Sequence, residues 1–211
     1  MSPMSPIKHP WEQIYQNEGR GDENPFPRFY EVVESFKGFG CSRILDLGCG
    51  SGRHFLHLAQ EGFRVVGMDI SPTALRLTQE WVDNEDYEPL LVLADMRMPL
   101  PFKSSSFDGV FSTQVIHHAR MVRVRRTIQE TFRVLGSGGA AFITVSGGRD
   151  EGIPYKEIEP GTIIPLSGSE RGLPHRIFTE SDLRVEFSNF QIEEVSSRAG
   201  GKVLAVLARK P

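Results

Sequence analysis

The chain has 211 residues, 39% apolar and 24% charged, with a formal net charge of −3 at pH 7. That balance suits one soluble domain, or one with a small appendage, and argues against nucleic acid as a partner. Two cysteines, Cys41 and Cys49, give no disulfide framework, and no apolar run nears the roughly 18 residues that a membrane span needs. With no charged-then-apolar leader at the N-terminus, the expected setting is the cytoplasm, away from membranes.

Residues 1–40 are polar and broken by Pro3, Pro6, Pro10, Pro25 and Pro27. A short helix carrying Trp11, Ile14 and Tyr15 is expected there, then a loop, then a helix over 29–36 with Phe29, Val32, Val33 and Phe36 on one face. From Arg43 onward strand and helix alternate. Strands are predicted over 44–47, 63–68, 90–94, 107–112 and 140–145. Between them lie helices over 53–60, from Pro72 to Val82, and over 121–135. Ser71-Pro72 supplies a cap and a first-turn proline, with Leu75, Thr78, Trp81 and Val82 toward the core; Gly136 should end the 121–135 helix.

Residues 147–174, rich in glycine, proline and polar residues, read as an insertion over the carboxyl edge of the sheet. Thr179 with Asp182 resembles a capping box, and strands over 191–198 and 202–208 flank the hairpin signal Gly200-Gly201. The predicted architecture is a three-layer, doubly wound α/β fold. Its seven-stranded sheet is mostly parallel with an antiparallel last strand. An N-terminal segment over the cleft (1–40) precedes the main domain (41–211), which carries the insertion at 147–174.

The run ILDLGCGSG, from Ile44 to Gly52, places glycines at the carboxyl end of a strand and the start of a helix. Parallel sheets bind ligands there, and a missing Cβ lets a ligand approach the backbone. The dinucleotide fingerprint needs G-x-G-x-x-G, but counting from Gly48 its third glycine falls on Arg53, and counting from Gly50 it falls on Phe55. The observed spacing is G-x-G-x-G after an acidic residue, Asp46.

In that form the run resembles the cofactor motif of the class I, seven-stranded S-adenosylmethionine (SAM)-dependent methyltransferases, small-molecule type. The likeness covers roughly 43–145, with a similar tail, HRIFTESDL, near the C-terminus. It implies SAM as cofactor. The methionine end would lie against Asp46, Gly48, Gly50 and Gly52, with Cys49 a small filler in the loop and Thr113 in the segment beneath. Asp69 and Ile70 would serve the ribose, and Asp95 and Met96 the adenine.

In-line methyl transfer requires alignment more than acid–base groups. His117 and His118, just past the fourth strand, and His175, before the last helix, are the candidates for orienting or deprotonating the acceptor. Each has a plainer reading as a packed, backbone-bonded side chain. No metal is expected: His54 and His57 lack carboxylate or thiolate partners at ligand spacing and read as surface positions. Trp11 and Tyr15 would form a lid over the cleft or simply anchor the terminus. Arg120, Arg123, Arg125 and Arg126 read as a solvated helix face.

The chain lacks the Asn/Asp-Pro-Pro-Tyr motif of base-amino methyltransferases and any Pro-Cys pair, which favours a small-molecule acceptor. A tRNA- or protein-modifying methyltransferase and a non-catalytic SAM-binding domain stand as alternatives. The sequence leaves the oligomeric state open.

Overall fold

Capping residues and prolines set where the helices of this chain begin, and the computed structural model describes them over residues 9–85 and 87–211. Pro3, Pro6 and the rest of the expected N-terminal segment up to residue 8 lie outside the described residues. Helix α1 (Pro10–Glu18) starts on its proline, and α2 (Phe29–Gly38) buries Phe29, Val32, Val33 and Phe36. Strand β1 (Arg43–Leu47), α3 (Arg53–Gln60), β2 (Arg64–Asp69) and α4 (Pro72–Asp83) follow. The Ser71 hydroxyl caps α4 by accepting from the Ala74 N–H at 3.0 Å. Helix α4 turns Ala74, Thr78 and Val82 inward, while Leu75 and Trp81 are only half-buried, the latter beneath the Arg20 guanidinium at 4.5 Å.

Next come β3 (Leu90–Leu93), β4 (Phe107–Thr113), α5 (Met121–Val134) and β5 (Leu135–Ser146). Helix α5 stops one residue earlier than the periodicity predicts. Ser105 and Ser106 donate to the carbonyls of Arg133 and Val134 at 3.0 and 2.8 Å, and Leu135 pairs with Phe107. Leu135 and Gly136 therefore belong to the strand, not the helix.

The insertion holds more order than its composition suggests. Strands β6 (Tyr155–Glu159), β7 (Thr162–Pro165) and β8 (His175–Arg176) form a separate antiparallel sheet, with Ile163 opposite His175. Helix α6 (Glu180–Glu186) opens with the complete Thr179–Asp182 capping box, and β9 (Gln191–Arg198) and β10 (Val203–Arg209) end the chain. Between them Gly200 and Gly201 turn with φ of 64° and 88°.

The main sheet runs β3-β2-β1-β4-β5-β10-β9. Its first five strands are mutually parallel, and β10 is antiparallel to both β5 and β9. Both faces are buried, as a parallel sheet requires. Leu45, Val110 and Ile143 meet Val124, Ile128 and Leu183 on one side. Ile44, Phe111 and Phe142 meet Phe29, Phe36 and Phe55 on the other. Strand order reverses at β1, so the carboxyl ends of β1 and β4 flank the crevice where such sheets bind ligands. No helix among the described residues is long and apolar enough to cross a membrane.

The β5 exit is tight. Gly147 donates to Lys202 O at 2.8 Å, and a Cβ there would collide with the Gly201 carbonyl, a backbone atom that cannot rotate away. Gly147→Ala is therefore expected to destabilise the fold by about 1–3 kcal/mol, the usual scale of overpacking. A denaturant melt showing a parent-like midpoint would contradict this packing.

Candidate functional site

The glycine loop turns because its glycines take a conformation that other residues resist. Gly48, Gly50 and Gly52 have φ of 75°, 58° and 95°. A Cβ on Gly48 would strike Val115, and one on Gly50 would strike the Tyr15 hydroxyl. The N–H groups of Gly48 and Cys49 both donate to Met68 O, at 2.7 and 3.1 Å, lashing the loop to β2. Asp69 completes the lashing: Oδ2 accepts from Gly50 N at 3.0 Å and Oδ1 from Ser71 N at 2.9 Å. The buried Thr78 hydroxyl donates to Gly50 O at 2.8 Å.

Behind the loop, Asp46 is 2% exposed and its Oδ2 has no hydrogen-bond partner. Burial, then the nearby Asp69, pushes its pKa up to about 8. Burial also raises Asp69, against the pull of the Ser71, Gly50 and Ile70 amides. Burial and mutual repulsion thus disfavour ionising both carboxyls at once, and Asp46 is the one held largely protonated.

Two cavities open there. The first, about 290 Å³, is walled by Gly48, Cys49, Gly50, Asp69, Ile70, Asp95, Met96 and Thr113, together with Trp11, Tyr15 and His118. Asp46 and Gly52, also predicted as cofactor contacts, lie behind this wall rather than in it; Gly52 caps α3, where a Cβ would meet Thr78. The second cavity, about 530 Å³, is bounded by His117, His118 and His175 and by residues of the small sheet, Tyr155, Ile163 and Pro165. Trp11, Gln114 and His118 belong to both walls.

Gln114 holds a positive φ of 57°, a strained state for a residue with a side chain. Its backbone N–H and side-chain amide both bond to Thr144 Oγ1, at 3.0 and 3.1 Å, which fixes the partition between the cavities.

The three histidines separated in sequence are gathered in space. Ring centroids lie 4.1 Å apart for His117 and His118, 4.6 Å for His118 and His175, and 5.8 Å for His117 and His175. Arg176 N donates to His117 O at 2.8 Å, which joins β8 to the segment after β4. Burial, then the neighbouring His175, lowers His118 to about 3; burial likewise drives His117 far below the usual imidazole range and lowers His175. Burial thus disfavours the charged form of all three rings.

His54 is not the surface residue predicted. It is 5% exposed, and its Nε2 accepts from Phe26 N at 3.0 Å. That bond leaves the ring proton on Nδ1, 3.3 Å from Thr113 Oγ1. His57, in contrast, is half-exposed, with Nε2 3.3 Å from Glu23 O. Asp95 is spanned by Arg97, with side-chain bonds of 2.7 to 3.0 Å. Burial raises the Asp95 carboxyl, but the Arg97 bonds outweigh it and hold it below the ordinary range.

Sequence reasoning missed Glu12. It is 8% exposed and accepts from Ser71 Oγ at 2.6 Å, Thr73 N at 3.1 Å, Thr73 Oγ1 at 2.7 Å and Gln16 Nε2 at 2.6 Å. A carboxylate at the start of α4 also complements the helix dipole. Through it α1 sits on α4, with Trp11 edge-on to His118 at 5.0 Å. The only sequence signal was an acidic residue between Trp11 and Tyr15, which pattern alone assigns to solvent.

Residues 45–143 match the protein family described as a methyltransferase domain. The chain is similar to the 18S rRNA (guanine-N(7))-methyltransferase bud23 of Schizosaccharomyces pombe. The two are 44% identical over 121 residues, 53% of this chain and 44% of that protein. The chain spans about half the length of the curated relatives it matches first. In fold it is similar to the PH0226 protein of Pyrococcus horikoshii OT3, with TM-score 0.72 and 20% identity over 94% of this chain and 99% of that one. It is also similar to magnesium protoporphyrin IX methyltransferase of Synechocystis PCC 6803, solved with bound SAM. There the TM-score is 0.66 and the identity 19%, over 96% and 90% of the two chains.

One expectation is corrected by these likenesses. The net charge argued against nucleic acid, yet over 121 residues the chain shares 44% identity with a protein named for an rRNA substrate. Charge summed over a whole chain does not describe a local surface.

The Glu12 anchor carries a pH signature. Burial raises its pKa, but the Ser71, Thr73 and Gln16 donors outweigh this and leave it below the usual carboxylate range. Its contribution is therefore complete above about pH 4.3 and is lost as pH falls through the depressed folded value. Glu12→Gln is expected to cost about 1–3 kcal/mol near neutrality. Melts of both proteins across acidic pH should converge; a gap that widens on acidification would refute the assignment.

Proposed function

We propose that this chain, which carries a class I SAM-dependent methyltransferase domain, transfers the cofactor's methyl group to a nucleophilic atom of an acceptor in the second cavity. The observation that carries this reading is the shared wall. The cavity at the glycine loop and the cavity under the small sheet meet at Trp11, Gln114 and His118.

SAM is the cofactor, and when bound it supplies a methyl group activated by its sulfonium. The residues present suit it. Gly48 and Gly50 offer a backbone free of Cβ, and Asp69 brings a carboxyl to the cavity wall. In this reading Gly48, Cys49, Gly50 and Thr113 hold the methionine end, with Asp46 and Gly52 supporting the loop from behind. Asp69 and Ile70 hold the ribose, and Asp95 and Met96 the adenine. Trp11 and Tyr15 on α1 cover the cleft and exclude water, while the small sheet closes over the acceptor. His117, His118 and His175 face the acceptor. As an isolated base, His118 with a pKa of about 3 would hold a proton poorly, so its part is to orient the acceptor.

A cavity of about 530 Å³ accommodates one small heteroaromatic or similarly sized unit. A small-molecule acceptor is supported by the walls that Trp11 of α1 and the small sheet contribute to the cavity. A base presented by an RNA strand is the second reading, favoured by the 44% identity to the rRNA methyltransferase.

Incubation with methyl-labelled SAM tests both. Label in a low-molecular-weight metabolite fraction supports the first reading, and label in total RNA supports the second. Blanks in both, from protein that binds S-adenosylhomocysteine, would sink the enzyme reading. Asp69→Ala should weaken S-adenosylhomocysteine binding by about 1–3 kcal/mol in calorimetry. Parent-like affinity in a folded variant would remove Asp69 from the cofactor contacts.

A further inference from the structure

The histidine cluster is unusual for what it leaves unmade. His117 and His118 are 2% and 7% exposed, and the His175 side chain is 12% exposed. His117 Nδ1 and His118 Nδ1 are buried with no hydrogen-bond partner, and buried His175 Nε2 makes no well-aligned bond, facing only the Glu170 carboxylate at 3.3 Å. An unmade bond forfeits the whole desolvation cost of the group, so buried polar atoms are seldom left that way. Here three occur on rings in mutual contact.

One ligand-capable nitrogen from each ring lies within 4.8 Å of the other two. A tetrahedral ion with bonds of about 2.0–2.1 Å sets its ligands about 3.3 Å apart. Side-chain rotation closes that difference, because the scaffold is already fixed by the Arg176 N to His117 O bond. Glu170 sets Oε2 3.3 Å from His175 Nε2, a carboxylate placed to orient the ring or to give way to it.

We propose that His117, His118 and His175 form a three-imidazole site for a divalent transition metal ion of the zinc class, with its open position facing the acceptor cavity. This departs from the sequence expectation of no metal, which considered only His54 and His57. Three protein ligands with one position left free is the arrangement of catalytic rather than structural zinc. An acceptor hydroxyl, thiol or ring N–H would bind there as its anion, its proton passing to solvent. The acceptor's lone pair then forms the bond to the methyl carbon as the carbon–sulfur bond breaks, releasing S-adenosylhomocysteine. That use of the metal rests on the methyl-transfer reading above; binding of the ion does not.

The test uses the tag-free 211-residue chain stripped with a chelator. Titration with Co2+ should give the visible absorption of a low-coordinate site at one ion per chain, displaced by Zn2+. His118→Ala and His175→Ala should each lose at least about 100-fold in affinity, more than the loss of a supporting group costs. His57→Ala should bind like the parent. Imidazole 15N spectra of the unmutated protein give a readout that needs no variant: Zn2+ should shift these three histidines and spare His57.

Absent Co2+ absorption, unshifted imidazoles, or parent-like affinity in both alanine variants would each overturn the site. Calorimetry with S-adenosylhomocysteine on the same samples keeps the two readings apart. Cofactor binding without metal binding defeats only this proposal, and metal binding without cofactor binding defeats only the function above.

Discussion

Asp69 ties together three segments that would otherwise be independent. One carboxylate oxygen holds the loop after β1, and the other holds the residue that caps α4. The same Ser71 whose amide Asp69 accepts uses its hydroxyl to bind Glu12 on α1. Loop, helix and N-terminal cover are thus positioned by a short polar chain rooted in the end of β2. Bonds to a charged acceptor contribute about 1.5–3 kcal/mol each, more than neutral ones, because a buried carboxylate has no water to fall back on. The cavity at the glycine loop is what this chain leaves open.

Much of this was legible in the residues. The alternation of strand and helix, the Ser71-Pro72 start and the Thr179–Asp182 box are local signals, and the structure places elements accordingly. The glycine spacing also survives translation into geometry, since each of Gly48, Gly50 and Gly52 takes a positive φ. Local signals failed where long-range bonds decide. The end of α5 is set by Ser105 and Ser106, far from it in sequence. Strands β6 to β8 are short, and only mutual pairing orders a segment so rich in glycine and proline.

The site shows the same division. Asp46 and Gly52 belong to the motif, but chain direction cannot say which motif residues face a ligand and which brace those that do. His54, read as a surface position for want of ligand partners at metal spacing, and Glu12, which no motif singled out, are both buried by tertiary contacts. The meeting of His175 with His117 and His118 depends on β8 folding back onto the segment after β4, which no spacing rule anticipates.

Trp11, Gln114 and His118 each form part of two cavities. A shared wall cannot move toward one guest without moving away from the other. Whatever order the two ligands arrive in, each occupancy changes the free energy of the other by the same amount, because that coupling is reciprocal. The terminal helix that carries Trp11 is thus less a door to one chamber than a balance arm between two.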